Sequence, residues 1–144
     1  MPEVHLVVGC AVIALNAVAF ALGGVAWLRE RPSIPFWYAL RAAQVAVFIQ
    51  AMLGGLLVFT GHEPGDELHY LYGALPLLVS LLAEGARAGA AERELGEVEF
   101  ESLPAESQQS LALAIVRREM GIMAVSCGVI LFLALRAAGT SGAF

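Results

Sequence analysis

Only 15% of the 144 residues are charged while 59% are hydrophobic, and the mean hydropathy is +0.76. A soluble domain carries about a quarter charged residues; here the charges cluster and leave long apolar runs, which points to one integral membrane domain rather than a soluble one. The net charge of −5 comes mostly from one acidic stretch, and there is no basic patch of the kind that nucleic acid requires.

Four apolar runs, at about 4–28, 36–60, 68–88 and 111–137, are long enough to cross a membrane. Backbone in lipid must satisfy its own hydrogen bonds, so each is predicted as a helix. The first run lacks a basic leader and exceeds the apolar core of a signal peptide, so it is expected to be a span. Arg29-Glu30-Arg31-Pro32-Ser33 separates the first two runs, and Gly61–Glu67 separates the second and third. Both connectors are short and hold proline or glycine, which predicts antiparallel neighbours. Pro76 is expected to bend the third helix, because its ring removes a backbone donor. A longer acidic loop is expected over about 89–110, with Glu92, Glu94, Glu97, Glu99, Glu101 and Glu106.

There is no lysine. Arg29, Arg31 and Arg41 flank the first connection, Arg87, Arg93, Arg117 and Arg118 flank the third, and Arg136 stands near the opposite face. The positive-inside rule then places both termini outside and the acidic loop in the cytoplasm. Trp27, Trp37 and Tyr38 suit an inner aromatic belt, and Tyr70 and Tyr72 an outer one. The predicted fold is all-α: an integral membrane, antiparallel four-helix transmembrane bundle, N-out/C-out, formed by residues 1–144. A multi-pass protein of a prokaryotic-type plasma membrane is expected, with lipid as its first partner.

Cys10 and Cys127 both lie inside apolar runs without metal-ligand spacing, and read as small buried hydrophobes. Asn16, Gln44 and Gln50 are expected to hydrogen-bond between helices. Arg41, Glu84, Arg87, Arg117, Arg118 and Glu119 form an inner polar cluster, in which Glu84 and Arg87 are spaced to pair on one helix face.

The histidines carry the candidate chemistry. His5 and His69 each stand at the start of a helix entering from the outer face, and glycine follows each by four residues, at Gly9 and Gly73. Residues four apart share a helix face, so each glycine leaves room one turn below its imidazole. Gly54 and Gly55 lie near the outer end of the second helix, and Gly128 in the fourth is expected to complete a ring of small residues. A bundle core is a natural cofactor site, and imidazole is a good axial ligand for haem iron. His62, in the connector, is either solvated or a substitute ligand or proton carrier. The simpler alternative is that the histidines are solvated at the interface and the glycines serve helix packing.

The segment with Gln50, Leu53, Gly54, Gly55, Leu56, Val58, Thr60 and Gly61, followed by Leu68-His69, resembles the haem A synthase family where one helix runs into the next. The opening Glu3, His5 and Gly9 is similar to that family's helix start, in which an acidic residue precedes a histidine. The resemblance covers mainly residues 3–9 and 44–73 and matches one four-helix half of the two-half family. It implies that His5 and His69 ligate haem iron and that Glu3 stands where the family has an acidic residue implicated in oxidising haem. Glu3 is one residue too close to His5, Leu6 replaces the family's arginine, and the family's long loop with a cysteine pair is absent.

The function expected is b-type haem binding, with Gly9, Gly54, Gly55 and Gly73 shaping the site, in haem handling or electron transfer for a respiratory chain. A haem A synthase-like oxidoreductase, with haem O as substrate and haem A as product, would need a homo-oligomer to restore the missing half. The competing class is a cofactor-free assembly factor or subunit that packs its glycine faces on a respiratory membrane protein. A transporter half would need polar groups near the midplane, where only Asn16 and Gln44 are expected.

Overall fold

The computed structural model describes residues 2–62, 64–96 and 98–141; Glu63 of the second connector and Glu97 of the acidic stretch lie outside them. Four helices follow in order: α1 (Pro2–Leu28), α2 (Ile34–Phe59), α3 (Leu68–Leu95) and α4 (Ala105–Gly139). A short 3-10 turn, Phe100–Ser102, precedes α4, and no strand occurs among the described residues. All four helices are long and apolar enough to cross a membrane.

The helix ends follow from local chemistry. Past Leu28 the chain reverses with Glu30 in the left-handed region at φ 54°. The Arg31 amide bonds the Ala26 carbonyl at 3.0 Å and the Glu30 amide bonds the Trp27 carbonyl at 3.1 Å. That pair is the Schellman closure, which satisfies carbonyls a helix terminus would leave orphaned. The Ser33 hydroxyl then accepts from the Phe36 amide at 3.3 Å and caps α2, with Pro35 in the first turn, where its missing N–H costs nothing. Pro76 is buried within α3 and leaves the Tyr72 carbonyl without its usual donor.

The acidic stretch is more helical than its charge suggests. α3 runs on to Leu95 and α4 begins at Ala105, so the expected loop over about 89–110 shrinks to the short segment between them. Alanine, glutamate and arginine dominate the extension of α3, and all favour helix. Arg118 of α4 bonds Glu94 of α3 at 2.5 Å and ties the α3 extension to α4.

α1 packs against α2 and α4, α4 packs against α3, and α2 and α3 touch more lightly. One core cluster joins Ala19 and Ala26 of α1, Phe36 and Leu40 of α2, Ala83 of α3, and Met120, Met123, Ala124 and Cys127 of α4. A second joins Val12, Ala46, Val47, Ile130 and Ala134. Small residues let the backbones approach, as in membrane helix pairs generally. A Cβ at Gly23 would sit 2.5 Å from the Phe36 ring and 2.9 Å from the Ala124 Cβ. Gly128 likewise faces the Phe20 ring, where a Cβ would come within 3.0 Å. Gly128 therefore serves α1–α4 packing rather than the expected ring of small residues around the histidines. Cys127 is buried as expected, whereas Cys10 is exposed on the apolar surface of α1. Asn16 is buried and donates to the Val12 carbonyl of its own helix at 2.8 Å, not to a neighbour.

Within the expected polar cluster, Arg41, Glu84, Arg87 and Glu119 form one network, whereas Arg117 and Arg118 pair apart from it. Glu84 of α3 accepts from Arg41 of α2, from Gln44 of α2 at 2.7 Å, and from Arg87 of its own helix at 2.8 Å. Arg87 also approaches Glu119 of α4 at 3.7 Å, and Arg117 pairs with Glu30 at 2.7 Å.

Candidate functional site

At the other end, the start of α1, the end of α2, the start of α3 and the end of α4 meet around two imidazoles. The rings of His5 and His69 lie 6.1 Å apart, centre to centre, with their planes inclined by 65°. Both side chains are half-buried. Two sequence-predicted ligands from different helices are thus neighbours in the bundle.

Each ring has a distinct set of partners. His69 Nδ1 lies 2.9 Å from the Ala137 carbonyl oxygen. A carbonyl only accepts, so Nδ1 carries the proton and Nε2 keeps its lone pair. Ala137 belongs to the last turn of α4, and its carbonyl also accepts from the Thr140 amide at 3.2 Å and the Thr140 hydroxyl at 3.0 Å. The ring therefore ties α3 to the α4 terminus. A histidine that donates one nitrogen to a backbone carbonyl and presents the other is the usual arrangement of a metal-ligating imidazole.

His5 Nε2 is 3.2 Å from Gln50 Nε2, while His5 Nδ1 and Gln50 Oε1 are buried without a hydrogen-bond partner. Buried polar atoms left in this state cost about 1–3 kcal/mol each. Turning the Gln50 amide by half a turn would set Oε1 against the imidazole and pair that oxygen, but one nitrogen of His5 would stay open. In either setting His5 has one nitrogen held by Gln50 and one buried and unpaired.

The glycines divide. Gly54 lies directly against His5, where a Cβ would come within 3.3 Å of the ring's Cε1. Gly9 makes room for Gln50 rather than for a cofactor edge, since a Cβ there would stand 3.1 Å from the Gln50 amide nitrogen. Beside Gly55 and Gly73 the space is open, with no neighbouring atom within 4 Å of a Cβ.

Two other candidates stand apart. His62 is exposed, and its Nδ1 pairs with the Thr60 hydroxyl at 3.2 Å rather than with either ring. Glu3 is exposed on the first turn of α1, two residues from His5 and so on a different helix face. No group of three or more metal-binding side chains occurs among the described residues. The pair can therefore take a metal only if that metal brings its other ligands, as haem iron does.

Three participants were not read as site residues from the sequence. Gln50 was expected to bond between helices but not to orient a ligand. Its position four residues before Gly54, on the same face, is the signal that would have revealed it. The Ala137 carbonyl is backbone and has no sequence signature. Arg136 stacks over the Tyr72 ring with its guanidinium carbon 5.5 Å from the ring centre, setting a cation beside the pair's end of the bundle.

No protein-family model, curated protein or solved structure matches this chain.

Proposed function

We propose that this chain is an antiparallel four-helix bundle of a prokaryotic-type plasma membrane, with both termini outside, that holds a b-type haem between His5 and His69. In this reading it is akin in design to one half of haem A synthase and acts in electron transfer or haem handling for a respiratory chain. One observation carries the reading: two imidazoles from different helices lie 6.1 Å apart. At that separation His5 and His69 would hold one metal ion between them, with metal–nitrogen bonds of about 2 Å.

The surrounding residues suit the same role. The Ala137 carbonyl holds the His69 tautomer and makes its Nε2 more basic, and the Gln50 amide orients His5. Gly54 admits the His5 ring against α2. Arg136 offers a cation for the haem carboxylates. A haem held by His5 and His69 would supply one-electron redox chemistry. Glu3 takes no part in this reading, because it is exposed and off the face of His5.

The test is an absorption spectrum of the detergent-purified protein, oxidised and reduced, made with ample haem supply. A Soret band with sharp reduced bands is expected, and its loss in both His5→Ala and His69→Ala. A colourless protein would remove the haem reading and leave a cofactor-free subunit in its place.

A further inference from the structure

A second constellation lies at the end of α1 remote from the histidines. A groove of about 370 Å³ runs from the last turns of α1 into the first connector, lined by Ala21, Leu22, Val25, Ala26, Arg29, Arg31, Pro32 and Ser33. Its size falls within the range of small-molecule sites, about 300–1,000 Å³. One part is aliphatic, and the other carries two guanidinium groups.

Those two arginines differ from the others at this end. Arg41 and Arg87 bond Glu84, Arg117 bonds Glu30, and Arg118 bonds Glu94. Arg93 donates to the Ala86 carbonyl at 2.5 Å. Arg29 and Arg31 are exposed and make no ion pair or side-chain hydrogen bond among the described residues. The acid between them, Glu30, is turned to Arg117 and leaves their charge uncompensated. The left-handed backbone at Glu30 and the Arg31–Ala26 closure fix this short segment in place.

We propose that this groove binds an anionic phospholipid of the inner leaflet, with one acyl chain against Ala21, Leu22 and Val25 and the phosphate at Arg29 and Arg31. The proposal rests on the transmembrane reading of the helices and not on the haem. Charge and position select the occupant: unpaired cations stand where an apolar helix wall ends, and basic pockets at the cytoplasmic ends of membrane helices suit acidic headgroups. The wider groove between α1 and α2, lined by Val8, Ala11, Arg41, Ala42, Val45, Ala46 and Ile49, lacks this feature, because its arginine is already bonded to Glu84.

Native mass spectrometry of the full chain in detergent, supplied with phosphatidylglycerol or phosphatidylcholine, reads the site. Phosphatidylglycerol is expected to be retained roughly tenfold more strongly. Arg29→Gln with Arg31→Gln should abolish the preference, and Arg118→Gln should leave it. Val25→Trp, which fills the groove and keeps both charges, should also weaken retention, and it decides the matter if the double variant does not fold. Equal retention of the two lipids, or an undiminished preference in both groove variants, would overturn the proposal. Displacement of the lipid by millimolar glycerol phosphate would overturn it too, since the site would then recognise a soluble phosphate.

Discussion

Gly23 and Gly24 are adjacent in α1, yet only one of them is sterically required. A Cβ at Gly23 would meet Phe36 and Ala124, whereas one at Gly24 would meet nothing within 4 Å. Gly23→Ala should destabilise the protein by about 1–3 kcal/mol, the usual cost of overpacking. Gly24→Ala should be neutral or stabilising by up to about 1 kcal/mol, since alanine favours helix. Thermal unfolding in detergent, followed by circular dichroism, compares them; equal effects would mean that α1 does not approach Phe36 so closely. The same scale separates what the sequence made legible from what it hid. His5 and His69 were readable as a pair because each opens an apolar run entered from the same face. The Ala137 carbonyl was not, because a carbonyl at a helix end looks like any other peptide unit. Gly9 was misread because spacing gives the direction of a gap but not which side chain fills it, here Gln50.

At the scale of one element, the turn after α1 carries a local conflict. A Schellman closure favours glycine at the residue with positive φ, and this chain has Glu30 there at φ 54°. A side chain in the left-handed region costs about 1–2 kcal/mol. The exposed pair with Arg117 offsets only about 0–1 kcal/mol of that. Glu30→Gly should therefore be at least as stable as the native chain, and Glu30→Ala less stable than either. Unfolding midpoints of the three proteins check the order, and a clear loss in Glu30→Gly would show that the ion pair outweighs the strain. The helix limits teach a related lesson. The apolar runs located α1 and α2 to within two residues at each end. They cut α3 and α4 short, because hydropathy marks where lipid ends and not where helix ends. Residues 89–95 and 105–110 are polar but helix-forming, and Glu94 of the first stretch bonds Arg118 of α4.

For the whole molecule, the arginine distribution predicts which end faces the cytoplasm. In cysteine-free protein expressed in a bacterial inner membrane, Gly65→Cys should react with a membrane-impermeant maleimide in intact cells, and Ser102→Cys only after lysis. The opposite pattern would invert the orientation. The two ends of the bundle are also fastened by different chemistry. At one end, Glu84 joins α2 and α3 through Arg41, Gln44 and Arg87, and Arg87 reaches Glu119 of α4. At the other, Gln50 and two imidazole rings link all four helices, with a carbonyl of α4 as the last contact. Salt weakens the first kind of tie and leaves the second largely alone. The molecule is a clasp with two independent catches, only one of them released by ionic strength.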